Sequence, residues 1–280
     1  MTAPKTWFIT GTSRGFGREW TIAALERGDS VAATARDVSS LHDLKEKHGD
    51  RLLPLSLDVT DRDACFATVS TAHEHFGRLD VVVNNAGYGH FGFVEELSES
   101  DIRNQMETNF FGLLWVTQAA LPLLRGQGGG HLIQVTSIGG VSAFPLVGAY
   151  HASKWAVEGL TQSLAQEVKD FGIKVTLIEP AGFATDWGGS SAVHSDPMPL
   201  YDDLRRQAEE WRAARATSGP GDPAASAAAV LEIVDAEEPP LRVFFGETPL
   251  SIIEPEYAKR LEQWHQWQWL AELANGKVPA

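Results

Sequence analysis

The sequence predicts an α/β protein built on a doubly wound, mostly parallel sheet of about seven strands with helices on both faces. Three observations carry this reading. Short runs rich in β-branched and aromatic residues recur along the chain, amphipathic segments of helical length separate them, and a glycine-rich turn joins the first run to the first helix. Right-handed crossovers between successive parallel strands place ligands outside the carboxyl ends of the strands.

In chain order the strand runs are TWFIT, SVAATA, RLLPLSL, LDVVVN, HLIQVT, IKVTLIE and LRVFF. The spacing predicts helices over 15–27, 39–47, 61–76, 99–125 and 150–171. Residues 186–223 break the alternation: DWGGSSAVHSDPMP and TSGPGDP flank a helical piece at 200–216 that belongs to no crossover. An insertion with Gly/Pro hinges at the ligand edge is expected to form a lid. A last helix is expected at 254–272, with Trp264, Trp267 and Trp269 covering the core or a subunit interface. The 280 residues are expected to form a single domain over 1–280.

Composition narrows the partners. Asp and Glu number 37 against 23 Lys and Arg, for a formal net charge of −14, which disfavours nucleic acid and anionic lipid. Cys65 is the single cysteine, so the chain has no internal disulfide and suits a reducing compartment. The sequence has neither a leader-like start nor an apolar run of membrane-spanning length, and a cytoplasmic protein is expected. His73 and His75 stand two apart on an expected helix and so point away from each other; no metal site is predicted.

The chemistry-bearing residues fall at strand ends. WFITGTSRGFG leads from the first strand through Gly11, Ser13, Arg14, Gly15, Phe16 and Gly17 into a helix, a turn whose glycines allow a pyrophosphate to approach the backbone and the helix N-terminus. The second strand ends in ATARD, with Arg36 where a ribose-binding carboxylate is usual. Arg36 and Arg14 together suit a 2′-phosphate and so NADP, while Asp37 keeps NAD possible. LDVT places Asp58, beside Val59, at the end of the third strand, in position for the adenine amino group or for capping the next helix, a duty Thr60 or Asp61 could take instead. VVVNNAG ends the fourth strand with Asn84, Asn85, Ala86 and Gly87, whose amides are expected near the cofactor. QVTS ends the fifth strand with Ser137, and YHASK sets Tyr150 and Lys154 one helical turn apart on one face.

Taken in this order, TGTSRGFG, NNAG, Asn109 in METNFFG, Ser137, YHASK and EPAGFATD resemble the short-chain dehydrogenase/reductase family, in the single-domain Tyr-x-x-x-Lys branch, over residues 10–186. The resemblance implies a Rossmann-like fold, NAD(P)-dependent interconversion of a ketone or aldehyde and an alcohol, and a homodimer or homotetramer. It implies Tyr150 as acid/base and Ser137 as hydrogen-bond donor to the substrate oxygen. Lys154 would tune Tyr150 and hold the nicotinamide ribose, and Asn109 would hold a water that relays protons to Lys154. Backbone near Pro180, Phe183 and Thr185 would meet the nicotinamide. The family pattern has glycine after the proline of EPAGFATD, and this chain has Ala181.

Physical chemistry supports the pair: a phenol near pKa 10 is a poor acid/base at neutral pH, and a neighbouring ammonium with an oxidised nicotinamide favours its phenolate. His90, Phe91, Phe144, Leu146, Trp187 and Met198 are expected to line a largely apolar substrate pocket, which suits a bulky hydrophobic carbonyl compound or alcohol. Alternatives on the same fold are an NAD-dependent alcohol dehydrogenase, an epimerase or dehydratase that returns its hydride, and a cofactor sensor without turnover.

Overall fold

The computed structural model describes residues 3–215 and 219–276. In chain order its strands are β1 (Thr6–Thr10), β2 (Ser30–Ala35), β3 (Leu52–Ser56), β4 (Val81–Asn84), β5 (His90–Phe91), β6 (Gly130–Val135), β7 (Ile173–Pro180), β8 (Val193–His194) and β9 (Arg242–Phe245). The helices are α1 (Gly15–Arg27), α2 (His42–His48), α3 (Arg62–Phe76), α4 (Glu99–Met106), α5 (Gly112–Gly126), α6 (Gly148–Val168), α7 (Asp202–Arg215), α8 (Ser226–Asp235), α9 (Pro249–Gln266) and α10 (Gln268–Ala274). Seven strands form one parallel sheet in the order β3-β2-β1-β4-β6-β7-β9. The order reverses between β1 and β4, so the crevice for a ligand opens at their carboxyl ends.

The period of two along each strand feeds two cores. Trp7, Ile9, Val81 and Val83 face one side, where Trp20 and Leu25 of α1, Leu44 of α2 and Val230 of α8 cover them. Phe8 and Val82 face the other, under Val69 of α3, Val116 and Leu124 of α5 and Leu164 of α6. A parallel sheet covered on both faces demands such continuous apolar runs. Asp61 caps α3 by accepting from the Ala64 N–H at 2.9 Å, and Gly28 ends α1 in the left-handed region at φ 102°.

The structure corrects three expectations. The helix expected over 99–125 is interrupted by a π-helical turn at Glu107–Phe111, which carries Asn109. Within the segment expected as a lid, β8 pairs in parallel with β5, Arg205 bonds the buried Glu96 carboxylate, and the Met198 N–H donates to the same group at 2.8 Å. Of the helical piece expected at 200–216, α7 accounts for Asp202–Arg215, and residues 216–218 lie outside the described residues.

The third correction concerns the C-terminal helix, which starts earlier, at Pro249, and breaks at Trp267. Trp264, Trp267 and Trp269 are 63%, 54% and 48% exposed and do not cover the core of this chain. The buried residues of α9 are Pro249 and Ile253 in its first turns, and further along Arg260 lies over the Trp155 ring of α6 at 5.3 Å. No helix among the described residues is long and apolar enough to cross a membrane.

Trp20 ties α1 to two later elements: it stacks on Phe16 at 5.2 Å, meets Phe245 edge-on at 6.3 Å, and its indole N–H donates to Ser226 Oγ at 2.8 Å. Trp20→Ala is expected to cost about 3–5 kcal/mol, because it empties a fully buried site and orphans a polar contact. Trp267→Ala, at an exposed site, is expected to stay within about 0.5 kcal/mol. Paired denaturant melts check both; equal losses would contradict this placement of the two tryptophans.

Candidate active site

The glycine turn after β1 is held by β4. Asn85 Nδ2 donates to the Thr10 and Gly11 carbonyls at 2.9 and 3.0 Å, and the Asn85 and Ala86 N–H groups donate to Thr10 Oγ1 at 2.9 and 3.0 Å. A Cβ on Gly17 would lie 2.4 Å from the Gly11 carbonyl oxygen and 2.6 Å from Asn85 Nδ2, so glycine alone lets α1 begin this close to the turn. Asn84 turns away to donate to Thr117 Oγ1 at 3.1 Å. The asparagines therefore brace the turn and the sheet through their Nδ2 groups, while Asn85 also lines the cleft.

A cleft of about 1440 Å³ runs across the carboxyl edge of the sheet. Gly11, Ser13, Arg14, Gly15 and Phe16 line it at the turn, Arg36, Asp58 and Val59 at the ends of β2 and β3, and Asn85, Ala86 and Gly87 at its centre. Tyr150, Lys154 and Pro180 line its other end, and Phe183 and Thr185 line it beside Phe16 and Gly15 of the turn. Gly17 lies beneath the lining, against Gly11. The Arg14 N-cap of α1 makes no side-chain capping bond. Those features fit the pyrophosphate of a dinucleotide.

Arg36 is exposed on the cleft wall, whereas the Asp37 carboxylate accepts from the Ser39 N–H at 2.9 Å and caps the short 3₁₀ turn Val38–Leu41. Ser39, through its side chain and then its N–H, also holds the Asp37 carboxyl below its ordinary pKa. Arg14 does not join Arg36; it pairs with Asp186 at 3.0 Å and donates to Ser190 Oγ at 3.1 Å. Asp58 is free of helix capping, because Asp61 performs it, and accepts from the Thr60 N–H and hydroxyl.

At the far end four expected residues gather. Tyr150 and Lys154 rise from the first turns of α6, with Lys154 Nζ donating to the Val135 carbonyl at 2.8 Å and lying 5.8 Å from the Tyr150 ring centroid. Ser137 caps the turn Ile138–Gly140, accepting from the Gly139 N–H at 3.0 Å. Asn109 is buried and fixed from both sides: Nδ2 donates to the Tyr88 carbonyl at 3.0 Å and to Ser153 Oγ at 3.1 Å, and Oδ1 accepts from the Tyr88 N–H. The π-helical turn that carries it is a widened turn of the kind found at functional sites.

Burial dominates the ionisation here. It pushes the Tyr150 phenol up to about 12, with only a hydrogen bond with Ser137 opposing, and pulls Lys154 down to about 8 against the Glu158 carboxylate. In the protein alone, desolvation of the phenolate is the larger effect. Tyr150 keeps its proton at neutral pH.

The substrate end is apolar, but not with the full set expected. Trp187 lies against Tyr150 with ring centroids 4.9 Å apart and against Phe91 at 5.3 Å, over Gly89, where a Cβ would come within 2.6 Å of the indole. Phe144 lines the cleft with its ring edge-on to His151. Leu146 also lines it, and its φ of 78° makes it the one described residue other than glycine in the left-handed region, a strain of about 1–2 kcal/mol that sets its side chain in the wall.

His90 and Met198 do not line the cleft. Alternation along β5 turns Phe91 inward and His90 to Ser195 Oγ at 2.8 Å, while Met198 sits beside Glu96. Ala181 stands in ordinary backbone and donates to the Phe245 carbonyl at 2.9 Å, so the missing family glycine is not required there. The Phe183 side chain packs edge-on against Phe16 at 4.8 Å and beneath Gly221, and Thr185 caps the turn Asp186–Gly188. Phe93, Leu204, Ile252 and Glu256 also line the cleft; they lie in segments with no motif, and only their proximity in the fold reveals them.

Comparison with known proteins agrees with this geometry. A family model described as short chain dehydrogenase matches residues 5–194. The chain is 45% identical over 244 residues to Oxidoreductase BOA17 of Botryotinia fuckeliana, covering 86% of this chain and 89% of that protein. A short-chain dehydrogenase from Streptomyces avermitilis superposes with a TM-score of 0.88 at 36% identity, covering 96% of this chain and 99% of its own. An alcohol dehydrogenase from the archaeon Thermococcus sibiricus, complexed with 5-hydroxy-NADP, superposes at 0.71 with 28% identity, covering 86% and 95%. The chain belongs to the short-chain dehydrogenase family of oxidoreductases.

Proposed function

We propose that the protein is an NADP(H)-preferring carbonyl reductase acting on a bulky, uncharged ketone or aldehyde. The observation that carries the reading is the gathering of Tyr150, Ser137, Lys154 and Asn109 at one end of a cleft whose other end presents Arg36. Arg36 supports NADP because it faces the cleft while its competitor, Asp37, is committed to capping. The relative complexed with 5-hydroxy-NADP is consistent with that choice.

Residues 11–17 and the start of α1 would hold the pyrophosphate, Arg36 the 2′-phosphate, and Lys154 the nicotinamide ribose. A bound nicotinamide supplies the hydride. Tyr150 holds a proton at its phenol oxygen, kept there by burial, and donates it to the substrate oxygen. Ser137 donates a hydrogen bond to the same oxygen as negative charge builds on it. Asn109, locked between Tyr88 and Ser153, fixes the floor beneath Lys154 and Gly87. Trp187 and Phe91 exclude water above Tyr150.

The cleft also suggests substrate charge. Among the described side chains, its lysine and arginine lining consists of Arg14, Arg36 and Lys154, none at the end bounded by Phe93, Leu204, Ile252 and Glu256. A carboxylate or phosphate there would find no counter-ion among those side chains, and a buried unpaired charge is costly.

Three outcomes follow. Tyr150→Phe lowers kcat by about 10²–10⁴-fold while leaving the NADPH Kd within about twofold, because it removes the proton donor and little else; unchanged turnover would remove this acid. Arg36→Ser weakens NADPH by about tenfold or more, about 1.4 kcal/mol, and spares NADH; equal losses for both would assign the 2′-phosphate elsewhere. In a carbonyl panel, aryl or long-chain ketones exceed keto acids and sugars in kcat/KM, and faster keto acids would refute the uncharged pocket.

A further inference from the structure

Outside the cleft wall, next to Lys154, two glutamates are buried together. Glu158 stands one helical turn beyond Lys154 on α6 and is 6% exposed, and Glu179, the penultimate residue of β7, is 1% exposed. One guanidinium serves both. Arg242 Nε lies 3.0 Å from Glu158 Oε2 and 3.5 Å from Glu179 Oε1, and its other arm donates to Gln162 Oε1 at 2.9 Å. If both groups were carboxylates, two negative charges would share one guanidinium in a dry site, and Glu179 Oε1 would be buried without a hydrogen-bond donor, whereas Glu158 has the Thr136 hydroxyl beside it. The two side chains are close enough to hydrogen-bond one another once one of them carries a proton.

The pair sits at the root of the site. Thr136, whose buried hydroxyl also faces it, precedes Ser137, and Glu179 precedes Pro180. Gly140, in the turn that Ser137 caps, has no room for a side chain: a Cβ would fall 2.5 Å from Thr136 Oγ1 and 3.3 Å from Glu158 Oε1. The groups facing Lys154 are Tyr150 and Glu158 from its own helix, the Val135 carbonyl from β6 and Asn109 from the π-helical turn. Those facing Glu158 are Arg242 from β9, Glu179 from β7 and Thr136 at the end of β6.

We infer that Glu158 and Glu179 share one proton and serve as a positioning pair whose single negative charge holds Lys154 as an ammonium. Arg242, nearer to Glu158, keeps that carboxylate ionised and leaves the proton on Glu179. Burial raises both carboxyls: at Glu158 Arg242 opposes it, while at Glu179 the Glu158 charge adds to it and pushes the group up to about 8, and Glu158 is the group that opposes the fall of Lys154. Two carboxyls in one dry site lose their protons in separate steps for this reason. The inference rests on the proposed role of Lys154 in cofactor binding.

The test is the pH dependence of NADPH affinity in the parent, Glu158→Gln and Glu179→Gln proteins, with thermal melts of each. The parent loses affinity above pH about 8 as Lys154 discharges. Glu158→Gln moves that loss to lower pH by about half a unit or more. Glu179→Gln leaves it in place or moves it upward, because Glu158 is then ionised without a rival. A purely structural pair would shift neither limb, or both alike, and that result overturns the inference.

The melts test the shared proton without cofactor. Glu179 has a raised folded-state pKa, so its contribution is fully present below the unfolded value and is lost as pH rises through about 8. The drop in Tm between pH 5 and pH 8 is therefore smaller in Glu179→Gln than in the parent, and an unchanged drop overturns the shared proton. Should Glu158→Gln not fold, Glu158→Gln/Arg242→Gln, which removes one charge of each sign, reads the same limb. A parent that binds no NADPH refutes the cofactor reading, and the melts then decide the pair alone.

Discussion

A parallel sheet buried on both faces leaves polar chemistry only its strand ends. Here the carboxyl edge is set by one contact, the start of α1 pressed onto the turn after β1 with Asn85 bonding the carbonyls of Thr10 and Gly11. Because Gly17 has no side chain, α1 begins low enough to aim its N-terminus along the cleft. Trp20 then locks the same helix to α8 and β9. The strands that carry Arg36, Asp58, Ser137 and Pro180 all end on the line this contact defines.

At that edge, burial and charge pull against each other. Tyr150 and Lys154 are both nearly buried, so each is driven toward its neutral form. For the phenol this is useful, since a neutral phenol is a proton donor. For the lysine it is a hazard, since a neutral amine would no longer hold its place electrostatically, and the carboxylate one turn away offsets it. The site is thus poised by groups that never touch the cleft, and the tight approach at Gly140 shows how closely the two layers fit.

Much of this was legible in the sequence. The seven strand runs, the glycine turn and the spacing of YHASK are local signals whose periods translate directly into geometry, and Arg36 followed from its place after the second run. Other features depend on contacts between distant segments. His90 and Phe91 are neighbours, and only the pairing of β5 with β8 decides which one faces the cleft. Met198 is drawn off by Glu96, and Arg14 by Asp186, partners that no local pattern announces. The aromatic-rich C-terminal helix reads as covering the core or a subunit interface because tryptophan usually does, yet its buried residues lie in its first turns and its tryptophans stay off the core of this chain. Glu158 was readable as a residue one turn beyond Lys154, but its meaning needed Glu179 and Arg242 from two other strands.

The central claim is that this edge binds a phosphorylated nicotinamide dinucleotide, with Arg36 reading the phosphate. The most direct measurement is the dissociation constant of NADPH beside that of NADH for the unaltered protein at fixed salt. The account predicts NADPH tighter by about tenfold or more, about 1.4 kcal/mol. NADH equal to or tighter than NADPH would contradict it and give the ribose to Asp37.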